Sequence, residues 1–256
     1  MTDSHPIDDG SRGGFPWQTL LDVEKQEAGR YPDVVNTTVF EAIDGAPRRV
    51  LELGCAGGAL GAELKRRFPQ ASVVGVEPAE AAADLAATRL DRVIRARLEE
   101  IDYAAEGLAP GTFDTIIAAD VLEHVFNPWQ ALVRMKPLLA PGGQLVASIP
   151  NVRNALLVAA LAVNGRWEYR DRGLLDITHL RFFTLEEIRR LFAQTGYRFE
   201  AHAARLSPPL KGVYEKNRDK ARVTLQLGRL TLADLTPPEL LELCTEQFCV
   251  RARPLP

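Results

Sequence analysis

The sequence predicts an α/β fold built on a mostly parallel sheet, and three observations predict it. Short apolar runs alternate with amphipathic stretches along most of the chain, and the first of these runs leads straight into a glycine-rich turn. The third is size: 256 residues, 46% of them hydrophobic, can bury one full core. A single domain with an elaborated C-terminal end is therefore expected.

Each element follows from its local chemistry. Residues 1–14 (MTDSHPIDDGSRGG) are polar and glycine-rich, read as a disordered tail, and lack the basic-then-apolar pattern of a leader. Residues 15–48 carry aromatic and aliphatic side chains at helical spacings and read as a helical N-terminal cap. From Arg49 onward the strands VLEL, SVVGVE, VIRA, TIIA and QLVASI are separated by helical or alanine-rich stretches. Leu60, Leu64 and Phe68, at four-residue steps, turn one face of the first such helix to the sheet.

Beyond Pro150 the alternation lapses. An apolar helix, Asn151 to about Asn164, leads into a loop over 165–181, after which Thr184 and Glu187 form the pattern of a capping box. Ile188, Leu191 and Phe192 are the buried stripe of the helix it opens, and Gly196 ends that helix. YRFEAHA alternates like a half-buried strand, with His202 expected at the surface. A charged, proline-punctuated excursion follows before EQFCVRA, the last strand. The expected organisation is thus a core over 49–206 and a C-terminal segment over 207–256.

Composition narrows the function. A net charge of −3 supplies no basic footprint for nucleic acid, and the arginine-rich stretches TRLDRVIRAR and KGVYEKNRDKAR read as solvated faces. Three cysteines, an odd count without metal-ligand spacing, fit a reducing cytoplasm. The longest apolar run, Ala155 to Val163, is well short of the roughly 20 residues that span a bilayer, so no membrane partner is expected.

The strongest chemical signal is VLELGCAGGALG, a buried strand, a turn of small residues and a helix start. Small residues let the backbone approach a ligand where unsatisfied helix amides favour anionic groups. About 20 residues further on, the next strand ends in Glu77, placed to accept from both hydroxyls of a ribose. Together they indicate a nucleoside-containing cofactor. A nicotinamide fingerprint would want glycine where the chain has Gly54, Ala56 and Ala59, which weakens that reading.

LELGCAGG, VVGVEP, FDTIIAADVLEHV and LLAPGGQLVASIPN, in this order, resemble the successive motifs of class I S-adenosylmethionine (SAM)-dependent methyltransferases over roughly 49–197. DITHLRFFTLEEIRRLFAQTGY is similar to a bacterial subgroup associated with small-molecule, sugar or polysaccharide modification. The resemblance implies a Rossmann-like, seven-stranded, mostly parallel sheet with an inserted segment before the last strand. It implies SAM as cofactor and S-adenosylhomocysteine as product. On the matching positions, Glu52 orders the glycine turn, and Gly54, Ala56 and Gly58 pass beneath the methionine part. Glu77 holds the ribose, and Leu98, at the end of the third strand, lies by adenine. Asp120 borders the methionine amine and the methyl group, with Val121 and His124 nearby. Two positions depart from the pattern: Ala56 replaces a glycine, and Arg97 stands where relatives often carry an acid, leaving adenine to Glu99, backbone groups or water.

Methyl transfer is an in-line displacement, so the main task is to align an acceptor lone pair. A hydroxyl acceptor also needs a base, and of four histidines His179, on the loop, is the candidate. Trp167, Tyr169, Arg170, Asp176 and Arg181 on the same loop are candidate substrate contacts for a sugar or polar ring. No metal site is expected, since no second acid can be matched to Asp120. A hydroxyl of a sugar or natural product is the leading acceptor. An amine or amino sugar, a noncatalytic binding or partner protein, and more distantly a nicotinamide oxidoreductase stay open. The 207–245 excursion reads equally as a lid, a homodimer element or a partner surface.

Overall fold

The computed structural model describes residues 35–256; the expected tail and the cap up to residue 34 lie outside them. Nine strands and eight helices are described: α1 (Thr38–Ala42), β1 (Arg49–Leu53), α2 (Ala59–Arg67), β2 (Ser72–Val76), α3 (Glu80–Ala87), β3 (Arg92–Ile94), β4 (Phe113–Ala119), α4 (Pro128–Met135) and β5 (Leu139–Pro150). They continue as α5 (Ala155–Asn164), α6 (Leu185–Gln194), β6 (Tyr197–Leu206), α7 (Pro208–Asn217), β7 (Val223–Leu227), β8 (Leu230–Leu235), α8 (Pro237–Cys244) and β9 (Thr245–Pro254).

Seven strands form one sheet in the order β3-β2-β1-β4-β5-β9-β6. Strands β1 to β5 pair in parallel, while β9 runs antiparallel between β5 and β6. The central strands are buried on both faces, which is why they read as continuous apolar runs. Leu51, Ile116, Leu145 and Ala147 face one core with Leu132 of α4 and Ile188, Leu191 and Phe192 of α6. Val50, Ile117 and Val146 face the other, with Val39 of α1, Leu64 of α2 and Ala86 of α3. Leu60 and Phe68 pack at its margin, as their spacing predicts. APGG is absorbed into β5 as a bulge: register jumps from Phe113↔Leu139 to Thr115↔Gln144, and Gly142 takes φ 76°.

Thr184 caps α6 by accepting from the Glu187 amide at 3.3 Å, but the Glu187 carboxylate pairs with Arg190 at 3.0 Å. Two further expectations need correction. The third strand stops at Ile94, so Leu98 lies four residues beyond its end, buried in the first core. His202 is half-buried, its ring edge-on to Phe248 at 5.5 Å, because β6 is covered where α6 crosses it. The excursion is itself a folded unit, a helix, a hairpin and a helix, in which Leu210, Val223, Leu225, Leu235, Leu240 and Leu243 form a third core with Ala155 of α5.

Candidate active site

The cofactor half is built from β1, its turn and the end of β2. Gly54 and Gly58 take φ of 61° and 75°, and Ala56 takes 46°, a left-handed conformation that costs an L-residue about 1–2 kcal/mol. Glu77 holds Ala56 there: its carboxylate accepts from the Ala56 amide at 2.9 Å and from the Ala79 amide at 2.9 Å. A side chain at Gly54 would come within 2.7 Å of Val121, so the turn passes directly under the residue following Asp120. These features fit SAM: a close-approach turn at a helix start, with a buried acid at the next strand end.

Glu52 sits elsewhere than its expected role suggests. Its carboxyl lies under the first turn of α2, where the Gly61 amide bonds it, while Oε2 has no partner. Burial pushes its pKa up to about 8, so it carries a proton at neutral pH. It therefore supports the helix that follows the turn, and only through that helix the turn itself. Arg97 and Glu99 are both exposed; Glu99 accepts from the Phe126 amide at 3.4 Å, which ties it to the chain beyond His124.

Beside this half lies a cavity of about 190 Å³ lined by Asp120, Glu123, His124, Asp176, His179, Arg205, Glu246 and Gln247, among others. Asp120 follows β4 with φ 55°, a conformation Asp tolerates, and its amide donates to the Ser148 carbonyl at 3.1 Å. Its side chain keeps surface toward the open cavity, yet the protein around it raises its pKa above the usual carboxylate range, opposed by Arg205, Ser148 and Gln247.

The loop motif and the motif after β4 are stapled together: the Glu123 carbonyl accepts from the Leu180 and Arg181 amides at 2.8 and 3.0 Å. This brings the His124 and His179 rings edge to face, 4.7 Å apart. His179 Nδ1 faces the Leu174 carbonyl at 3.3 Å, and His124 Nδ1 faces the Thr178 carbonyl at 3.3 Å and its hydroxyl at 3.1 Å. A carbonyl can only accept, so Nδ1 carries the proton in each ring and Nε2 keeps the lone pair. Asp176 fixes Thr178 by accepting from its amide at 2.9 Å and its hydroxyl at 2.6 Å. His179 is buried, which lowers its pKa to about 4, with His124 contributing; it is a neutral imidazole at pH 7.

Glu123 is one of four polar lining residues that sequence reasoning missed. It is 1% exposed, neither carboxylate oxygen has a partner, and burial raises its pKa well above the usual range. Glu123, His124 and His179 each present a ligand atom within 4.8 Å of the others, a donor set that a divalent cation can take up. The expectation of no metal site considered only acids that could join Asp120, and these partners come together only through the fold. Arg205, Glu246 and Gln247 were missed for the same reason.

Of the five proposed substrate contacts, only Asp176 lines the cavity. Trp167 instead packs edge-on to Phe182 at 5.2 Å, and Arg181 lies over the Phe126 ring at 5.1 Å. Tyr169 is 45% exposed, and Arg170 is tied by its backbone to Leu175 and Ile177. The loop folds back on itself, so these side chains decorate its outside.

A methyltransferase-domain family model matches residues 23–202. The chain is 37% identical over 155 residues to a ubiquinone biosynthesis O-methyltransferase of Dinoroseobacter shibae, covering 58% of this chain and 59% of that protein. To the protein of the same name from Xanthomonas euvesicatoria it is 32% identical over 183 residues, covering 70% and 72%. A crystal structure of a SAM-dependent methyltransferase from Archaeoglobus fulgidus superposes with a TM-score of 0.57 at 14% identity, over 90% of this chain and 98% of that one. With the strand order, the glycine turn and Glu77 in place, the chain belongs to the class I SAM-dependent methyltransferases, with SAM as its cofactor.

Proposed function

We propose that this chain methylates a hydroxyl of a small ring-bearing acceptor held in the cavity beside Asp120. The observation that carries this reading is His179, whose Nδ1 faces the Leu174 carbonyl and so leaves Nε2 as its basic nitrogen, in the lining of the cavity that Asp120 also lines. SAM, when bound, supplies the methyl group as a sulfonium. His179 Nε2 would take the hydroxyl proton while the methyl group passes to the oxygen, S-adenosylhomocysteine leaving with the carbon–sulfur electron pair. Four carboxyl groups in the lining, Asp120, Glu123, Asp176 and Glu246, suit an acceptor rich in hydroxyl donors. The relatives' names, ubiquinone biosynthesis O-methyltransferase, favour O-methylation of a small molecule other than the sugar that the sequence suggests. Three buried, unbridged cysteines favour the reducing cytoplasm, and no helix among the described residues is long and apolar enough to cross a membrane.

The test is methyl transfer from labelled SAM to a panel of catechols, polyols and amines. Transfer to catechols, reduced on the order of 10²-fold by His179→Ala, supports the reading; transfer to amines alone rejects it. A second reading, that a divalent cation on Glu123, His124 and His179 polarises the hydroxyl, is favoured by the unpartnered Glu123 carboxylate. On that reading chelation abolishes turnover and added cation restores it.

A further inference from the structure

We infer that Gln247 is a positioning residue for cofactor binding: it aims the Asp120 carboxylate into the cavity, and Asn36 decides which end of the Gln247 amide does so. The inference rests on the assignment of Asp120 to the methionine amine of SAM.

Gln247 stands near the start of β9, between Pro150 of β5 and Arg205 of β6, both of which also line the cavity. It is 3% exposed and used at both ends. Its Nε2 donates to Asp120 Oδ1, and its Oε1 accepts from Asn36 Nδ2 at 2.7 Å. The order along this chain of bonds is fixed by charge. A carboxylate can only accept, so it requires the amide nitrogen of Gln247; the amide oxygen must then face Asn36, which must donate. Asn36 complies although its own Oδ1 is buried without a partner. Turning both amides over would set the Gln247 oxygen against Asp120.

The backbone alone does not aim the carboxylate. The left-handed φ at Asp120 and its amide bond to Ser148 fix where the side chain leaves the sheet, while its oxygens are oriented by the side chains that bond them, Ser148 and Gln247. Gln247 supplies a donor to a charged acceptor, the stronger kind of hydrogen bond, and so favours the ionised form that an ammonium group needs. Asn36, which precedes α1, thereby links the N-terminal segment to the cofactor site across 211 residues of sequence.

The experiment is calorimetric binding of SAM, S-adenosylhomocysteine and 5′-methylthioadenosine, which lacks the amino-acid portion, to the full chain. The variants are Q247L, Q247E, N36A, D120N and D120N/Q247L, with thermal melts to confirm folding. Asn at position 120 keeps the left-handed backbone and removes the charge. Expected are a loss of about 10-fold for SAM and S-adenosylhomocysteine in Q247L, a larger loss in Q247E and a smaller one in N36A. 5′-Methylthioadenosine binding should be unchanged in all three, and Q247L should cost about 2-fold or less on top of D120N. Equal loss for all three ligands, equal loss in both backgrounds, or wild-type affinity in Q247L overturns the inference. Failure of the wild type to bind SAM overturns the cofactor reading beneath it, and is told apart by involving no variant.

Discussion

The two halves of the site are assembled in different ways. The cofactor half comes mostly from contiguous stretches, 52–61 and 76–79, joined by neighbouring parallel strands. The acceptor half, which meets the cofactor at Asp120 and Gln247, gathers Glu123 and His124 from one loop, Asp176 and His179 from another, and Arg205 and Glu246 from two strands on either side of an insertion. A ligand held by backbone geometry needs residues adjacent in sequence, because positive φ and helix-start amides are local properties. A ligand held by side-chain chemistry does not. Motifs therefore record the first half and leave the second to be read from coordinates.

That contrast can be broken or sharpened by measurement. The largest expected effect is in the acceptor half: His179→Ala should lower turnover on the order of 10²-fold while leaving SAM affinity unchanged by calorimetry. Glu77→Ala should do the reverse, weakening SAM about 10-fold or more while acceptor KM at saturating SAM holds steady, because Glu77 also restrains Ala56. Gly61→Ala should destabilise the fold by about 1–3 kcal/mol in thermal or urea unfolding. Its Cβ would lie 2.4 Å from Glu52 Oε2 and 2.6 Å from Leu90.

Glu52 gives a pH test of the cofactor half. Its folded pKa of about 8 lies above the ordinary 4.5, so the unfolded chain releases this proton first. Its contribution to stability is complete below about pH 4.5 and is lost as pH rises toward 8; denaturation of Glu52→Gln should show a flatter profile across that window. The smallest effect should be Tyr169→Ala, with acceptor KM changed less than about 2-fold, since an exposed side chain outside the cavity contributes little.

The same contrast explains what was legible in the sequence. The parallel sheet, the cofactor turn, Glu77 at the end of β2 and the helices after β1, after β5 and after Thr184 follow from periodicity and small-residue spacing, and the structure has them. His179 and Asp176 stand out in the sequence because they lie on the polar loop after the fifth-strand helix, and the fold brings both to the cavity. The aromatic and arginine side chains beside them were misplaced because composition does not say which way a loop folds: Trp167 found Phe182, and Arg181 found Phe126. Glu123 was hidden in plain view within DVLEHV, since an acid next to a histidine looks solvated until a second loop buries it. Gln247 carried no signal at all, its role being set by an aspartate 127 residues away.

The insertion between β6 and β9 keeps its own core, which Ala155 joins, and Glu242 ties it to the rest by bonding Asn151, Arg153 and Leu185. Its two stems are the cavity residues Arg205 and Glu246, paired at 3.7 Å. Such a unit is exchangeable: a segment of different length or sequence can be grafted onto those stems while the sheet and the cofactor turn stay as they are. Acceptor choice could then diversify among otherwise similar enzymes by replacing a cassette, with the methyl-donating machinery left alone.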